Sequence, residues 1–79
     1  MEMIKFIGGD KYYATNLWLK IFKTDYNVKV NATQVHRVLG GLGVGRKVID
    51  GISYYSVDDV TYHRHTGNIY ERLVNVHRV

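Results

Sequence analysis

Seventy-nine residues are enough for one compact core and too few for two, so residues 1 to 79 read as a single domain that acts through its surface or in a complex. A composition 46% hydrophobic and 13% aromatic excludes a disordered tail, and eleven Lys and Arg against seven Asp and Glu, a formal net charge of +4, suit a polyanionic partner. The lack of cysteine excludes disulfides and thiolate metal sites, and no stretch approaches the roughly 18 apolar residues of a membrane span.

The apolar run in residues 1 to 7 is too short for a signal peptide, so a cytoplasmic protein with no membrane partner is expected. Residues 3 to 7 alternate in the manner of a short strand, and Gly8-Gly9-Asp10 reads as a break followed by a helix N-cap. A helix is predicted over residues 11 to 23, with Tyr13, Leu17, Trp18, Ile21 and Phe22 on its apolar stripe. Thr24-Asp25-Tyr26-Asn27 has turn chemistry, and Val28-Lys29-Val30 fits a very short strand.

Asn31 or Thr33 then caps a second helix, in which Val35, Val38, Leu39 and Leu42 follow the i, i+3, i+4, i+7 rule. Gly40 and Gly41 weaken its last turn, and Gly43 or Gly45 ends it. Asp50-Gly51 is a preferred two-residue type I′ turn, so residues 46 to 57 form a β-hairpin. The turn sets the register: Ile49 faces Ile52, Val48 faces Ser53, Lys47 faces Tyr54 and Arg46 faces Tyr55. Val57-Asp58-Asp59-Val60 looks like a hydrophobic residue, a cap and the first turn of a third helix that stops at Gly67. Ile69, Leu73 and Val76 suit a fourth helix; the alternative is a strand over residues 73 to 76 pairing with residues 3 to 7.

A capped helix bearing Thr33, Gln34, His36 and Arg37 therefore runs through Gly-Leu-Gly into a basic hairpin that opens on Arg46 and Lys47. Residues 33 to 55 resemble the recognition helix and wing of the winged-helix superfamily. With the upstream Leu17-Trp18-Leu19-Lys20-Ile21-Phe22, residues 15 to 57 are similar to the small C-terminal winged-helix domain of phage- and poxvirus-type primase-helicases. That resemblance implies an α+β fold of three to four helices with a β-hairpin wing and room for a short third strand. It also implies a phage or mobile-element setting, and no reaction. A standard winged helix places three helices before the wing, and two are found here, so residues 24 to 31 hold either a degenerate helix or a long turn.

On this reading residues 32 to 43 lie in or near a groove of DNA. Gln34 and Arg37 suit adenine and guanine edges, Thr33 sits beside them, and His36 suits a base edge or phosphate. Arg46 and Lys47, with Lys29, Lys20 and Lys23 nearby, neutralise phosphates. The plainer account makes Gln34 and Arg37 the solvated face of an amphipathic helix. Tyr54 and Tyr55 point to opposite sides of a strand, so one is exposed or covers the sheet's outer face; Tyr55 is the candidate to stack on an unpaired base, against the plainer account of packing on Lys47 or the third helix.

His63-Arg64-His65 lacks metal-ligand spacing, and neither a metal nor a cofactor is expected. With Arg64, Arg72, His77 and Arg78 these histidines suggest a second basic face. Asp58-Asp59 reads as a helix start, Ser53 and Ser56 have no His-Asp relay in sight, and the glycine run follows a helix where a phosphate loop follows a strand, so no enzyme is expected. The expected partner is DNA, duplex in preference to single-stranded. A clamp on a host or replication protein is the alternative, and a homodimer is compatible with either.

Overall fold

The computed structural model describes residues 3–77, and the side chains through residue 75. Its elements run β1 (Ile4–Ile7), β2 (Asp10–Ala14), α1 (Thr15–Tyr26), α2 (Ala32–Gly41), β3 (Arg46–Ile49), β4 (Ile52–Ser56), α3 (Val57–His65) and α4 (Asn68–His77). The strands form one antiparallel sheet in the order β1-β2-β4-β3. The α+β class expected from the sequence is what the chain adopts.

The N-terminal third departs from expectation. Gly8 and Gly9, at φ 59° and 86°, form a two-residue hairpin turn that pairs Ile7 with Asp10, so Asp10 caps no helix and residues 10 to 14 are strand. Pairing on both sides overrides the local helical pattern here: β2 lies between β1 and β4, and its pleat sends Tyr12 and Ala14 to one face and Tyr13 to the other. Tyr13 reaches Trp18 from the sheet, with ring centroids 5.2 Å apart, rather than from a shared helical stripe.

Helix α1 then runs through the expected turn and ends on Asn27 in the left-handed region (φ 54°). Residues 28 to 31 are a connection outside helix and strand, so the long turn is realised and neither the short strand nor a third helix before the hairpin is present. Val28 and Val30 still pack against the core.

Asn31 caps α2. Its side chain accepts from the Gln34 N–H at 2.8 Å, while the Gln34 carboxamide oxygen accepts from the Asn31 N–H at 2.9 Å, a reciprocal capping box. The far end closes at Gly43 (φ 74°), whose N–H donates to the Gly40 carbonyl as the Val44 N–H donates to that of Leu39. That pairing, with Val44 and Leu39 both buried, is a Schellman stop.

Asp50 and Gly51, at φ 51° and 78°, turn the second hairpin, and its register is the one the turn chemistry predicts. Ser56, rather than Asp58, caps α3: its hydroxyl accepts from the Asp59 N–H, which frees the Asp59 carboxylate to accept from the Gly45 N–H at 2.8 Å. Gly67 (φ 79°) follows the end of α3, and α4 takes the helical alternative, β1 being paired with β2.

All four helices send side chains into the main core, where Trp18, Phe22, Val35, Val38, Leu39, Val60, Ile69 and Leu73 meet Val44 and Tyr55. Tyr12, Ala14 and Tyr54 form a second cluster on the opposite face of the sheet, fringed by Met3, Ile7, Ile49 and Ile52, which no described helix residue enters. Both adjacent tyrosines of β4 are thus buried, one in each cluster.

Candidate nucleic-acid interface

The exposed side of α2 is built from Ala32, Thr33, Arg37 and Gly40, with His36 half-buried beside them. Helix α2 contains no acidic residue and no exposed bulky apolar side chain. A Cβ built on Gly40 meets nothing within 4 Å, so this stretch of helix is bare to solvent. Thr33 and Arg37, four residues apart, project from one face as the sequence predicts.

Gln34 is placed differently. Its carboxamide oxygen is spent on the capping box, leaving its NH₂ group as the free polar end. Asn31-x-x-Gln34 is itself the capping-box signature, so this role was legible in the sequence.

His36, Tyr55 and Arg46 come together where α2 meets the hairpin. The Tyr55 hydroxyl is hydrogen-bonded to His36 Nδ1, the two ring centroids are 5.6 Å apart, and Arg46 lies opposite Tyr55 in the strand register. Burial pushes the Tyr55 phenol above its usual value of 10.0, against a smaller lowering by the Arg46 guanidinium. Tyr55, 1% exposed, is therefore a core residue with its hydroxyl at the surface of α2, and its ring is closed to stacking on a base. Lys47 lies opposite Tyr54, so adjacent Arg46 and Lys47 project from opposite faces of the sheet.

The N-terminal ends of α1 and α2 and the tip of the hairpin converge on a cleft of about 260 Å³ whose lining includes Thr15, Asn16, Ala32, His36, Gly51 and Ser53. Thr15 Oγ1 donates to the Ser53 carbonyl at 3.2 Å and ties α1 to the hairpin. Ala14 supplies no side-chain cap to the first turn of α1, whose Thr15 and Asn16 line this cleft.

Lys29 belongs to another surface. It lines a groove of about 470 Å³ with Leu19, Lys20, Lys23, Thr24 and Val30, sharing no residue with the cleft. The i, i+3 spacing of Lys20 and Lys23 was visible in the sequence, but their convergence with Lys29 depends on how residues 28 to 31 fold back along α1.

The second basic face is largely committed to internal contacts. Arg64 pairs with Asp25 at 3.0 Å and lies over the Tyr26 ring, and the Arg72 guanidinium rests against Gly41 at the end of α2. Burial raises the Tyr26 phenol pKa, with Arg64 opposing the shift. The His77 side chain and Arg78 lie outside the described residues. His63 stands 3.4 Å from the Asn68 amide, and among the described residues no three His, Cys, Asp or Glu gather as a metal site. No helix among them is long and apolar enough to cross a membrane.

Charge is divided unevenly. Residues 11 to 49, which hold α1, α2 and β3, carry seven Lys and Arg against the single acid Asp25; the rest of the chain carries four against six. Comparison of the chain with protein-family models, with curated proteins and with solved structures finds no match.

Proposed function

We propose that this protein is a DNA-binding module of winged-helix type that reads duplex DNA with the exposed side of α2 and positions itself with the β3–β4 hairpin. The observation that carries the reading is the exposed face of α2, which is bare and free of acid and brings Arg37 near Arg46 at the start of the hairpin. The order β2–α1–α2–β3–β4, with β2 bonded to β4 beside the hairpin, supports the winged-helix assignment. Two helices precede the hairpin instead of three, and α3 and α4 complete the core from behind through Val60, Ile69 and Leu73.

In this arrangement Thr33 and Arg37 meet base edges, Arg46 and His36 meet phosphate, and the uncapped first turn of α1 offers N–H groups to the neighbouring backbone. Single-strand binding through the hairpin tyrosines loses its stacking residue, since Tyr55 is inside. The role is one of binding and not of catalysis: transcriptional control or replication accessory work in a phage or mobile element, in line with the resemblance of residues 15 to 57.

Duplex binding measured by fluorescence anisotropy tests the proposal. The two cations of this face, Arg37 and Arg46, would give a log–log salt slope near −1.8, hence about a 12-fold loss of affinity between 50 and 200 mM salt. Arg37→Ala and Arg46→Ala should each weaken binding, and Lys47→Ala, on the opposite face, should do so less. Salt-insensitive binding, or none to any duplex, overturns the reading.

A further inference from the structure

The groove between α1 and residues 28 to 30 serves none of the contacts above, and its chemistry is of two kinds. Leu19 and Val30, both half-buried at the fringe of the core, provide apolar lining, and Lys20, Lys23 and Lys29, all exposed, provide cations from two sides. No acid lines it. The nearest carboxylate in sequence, Asp25, is engaged by Arg64 at 3.0 Å, so the chain does not neutralise the groove itself. Lys23 Nζ donates to the Asn27 carboxamide oxygen at 3.3 Å, which leaves two of its three N–H donors for a ligand. At about 470 Å³ the groove falls within the roughly 300–1,000 Å³ typical of built binding sites.

We propose that this groove docks an acidic amphipathic segment of a partner protein, an aliphatic side chain resting on Leu19 and Val30 while carboxylates meet Lys20, Lys23 and Lys29. Charge complementarity sets the sign of the partner, and the apolar lining sets its class. A phosphodiester backbone would use the three ammonium groups and gain nothing from Leu19 and Val30, whereas a peptide alternating Glu with Leu uses both. The groove shares no lining residue with the cleft at the head of α1 and α2, so the two surfaces can be occupied together. The protein then joins an acidic protein segment to a nucleic acid.

The test is fluorescence anisotropy of the full chain with a labelled twelve-residue peptide that sets two leucines four residues apart among glutamates. Control probes are the same peptide with both leucines changed to serine and a twelve-nucleotide single strand. The Glu/Leu peptide should bind saturably, and the serine version should bind roughly tenfold or more weakly through loss of its buried apolar anchors. Lys20→Glu and Lys29→Glu should each weaken the Glu/Leu peptide about fivefold or more, with thermal melting unchanged because both lysines are exposed. Lys23→Gln provides a milder variant. Arg37→Ala, on the α2 face, should weaken duplex binding and leave peptide binding intact; a parent chain that binds the peptide and no duplex would count against the proposed function, on which the joining role rests, and not against this groove. Absence of peptide binding, equal binding of the serine peptide, or lysine variants that lose only the oligonucleotide would each overturn the proposal.

Discussion

Gly40 lies inside α2 with ordinary helical dihedrals, and a side chain built on it meets open space. A glycine in a helix costs about 0.5–1 kcal/mol relative to alanine, because its backbone loses more freedom on folding. Since nothing in the packing requires it, Gly40→Ala should stabilise the fold by about that amount and raise the melting temperature by roughly 2–8 °C at this chain length. Trp18, the single tryptophan and 2% exposed, reports the transition by fluorescence. Gly40→Glu should keep the helix and its melting temperature while placing a carboxylate one turn beyond Arg37 on the bare face. Duplex affinity should then fall about tenfold or more, a loss of roughly 1.4 kcal/mol or greater. A less stable Gly40→Ala would show that the glycine is structural. A stable Gly40→Glu that binds DNA like the parent chain would remove α2 from the interface.

Asn31→Ala breaks the capping box and should cost about 1 kcal/mol in urea unfolding, while Asn31→Asp should restore most of it. Tyr55→Phe, which removes the hydroxyl held by His36, should cost about 1 kcal/mol, and Tyr55→Ala about 3–5 kcal/mol. Because burial raises the Tyr55 phenol above 10.0, its contribution is fully present below pH 10 and is lost as pH rises through the folded value. Stability should therefore decline at alkaline pH, and less steeply in Tyr55→Phe, as unfolding at pH 8 and pH 11 would register. Truncation after Gly67 removes Ile69 and Leu73, both 0% exposed, and so about 3–6 kcal/mol of apolar burial. A 79-residue domain has roughly 4–12 kcal/mol in all. The truncated chain should lose cooperative melting.

The features set by local chemistry were legible in the sequence. Asp50-Gly51 specifies a turn whose backbone twist matches its strands, and the hairpin register follows from it without knowledge of the rest of the fold. The apolar spacing of α2 and its stop at a glycine are local in the same sense. Residues 10 to 14 differ from the helical expectation because their strand exists only through two partners, one of them about forty residues away, while Tyr13 and Leu17 fall at helical spacing. Gly8-Gly9 is a hairpin signal as good as Asp50-Gly51, and it makes residues 10 to 14 the second strand of a hairpin whose first strand, β1, falls within the expected residues 3 to 7. In the candidate interface, Thr33 and Arg37 needed only helical periodicity. The commitment of the Gln34 oxygen follows from the local capping box, whereas the inward turn of Tyr55 and the separation of Lys29 depend on packing between elements.

The link between α2 and β3 shows how the candidate interface is held in place. Residues 42 to 45 join helix and hairpin, and each of their N–H groups is claimed: Leu42, Gly43 and Val44 by α2 carbonyls, Gly45 by the Asp59 carboxylate. The Gly45 carbonyl in turn accepts from the Ser56 N–H at 2.9 Å, so the joint is also held by the start of α3. Across the gap, the Tyr55 hydroxyl anchors His36, and the Tyr55 ring is fixed by the core. Helix and hairpin are therefore held at one spacing by contacts that exist before any partner arrives. Under the proposed function, a surface organised in this way would spend little of its binding energy on ordering itself, so that the two cations Arg37 and Arg46 would suffice for recognition. Asp59, which from its place in the chain looks like no more than a helix-start acid, thus holds the joint between α2 and the hairpin through Gly45, and under the proposed function it would act as a positioning residue.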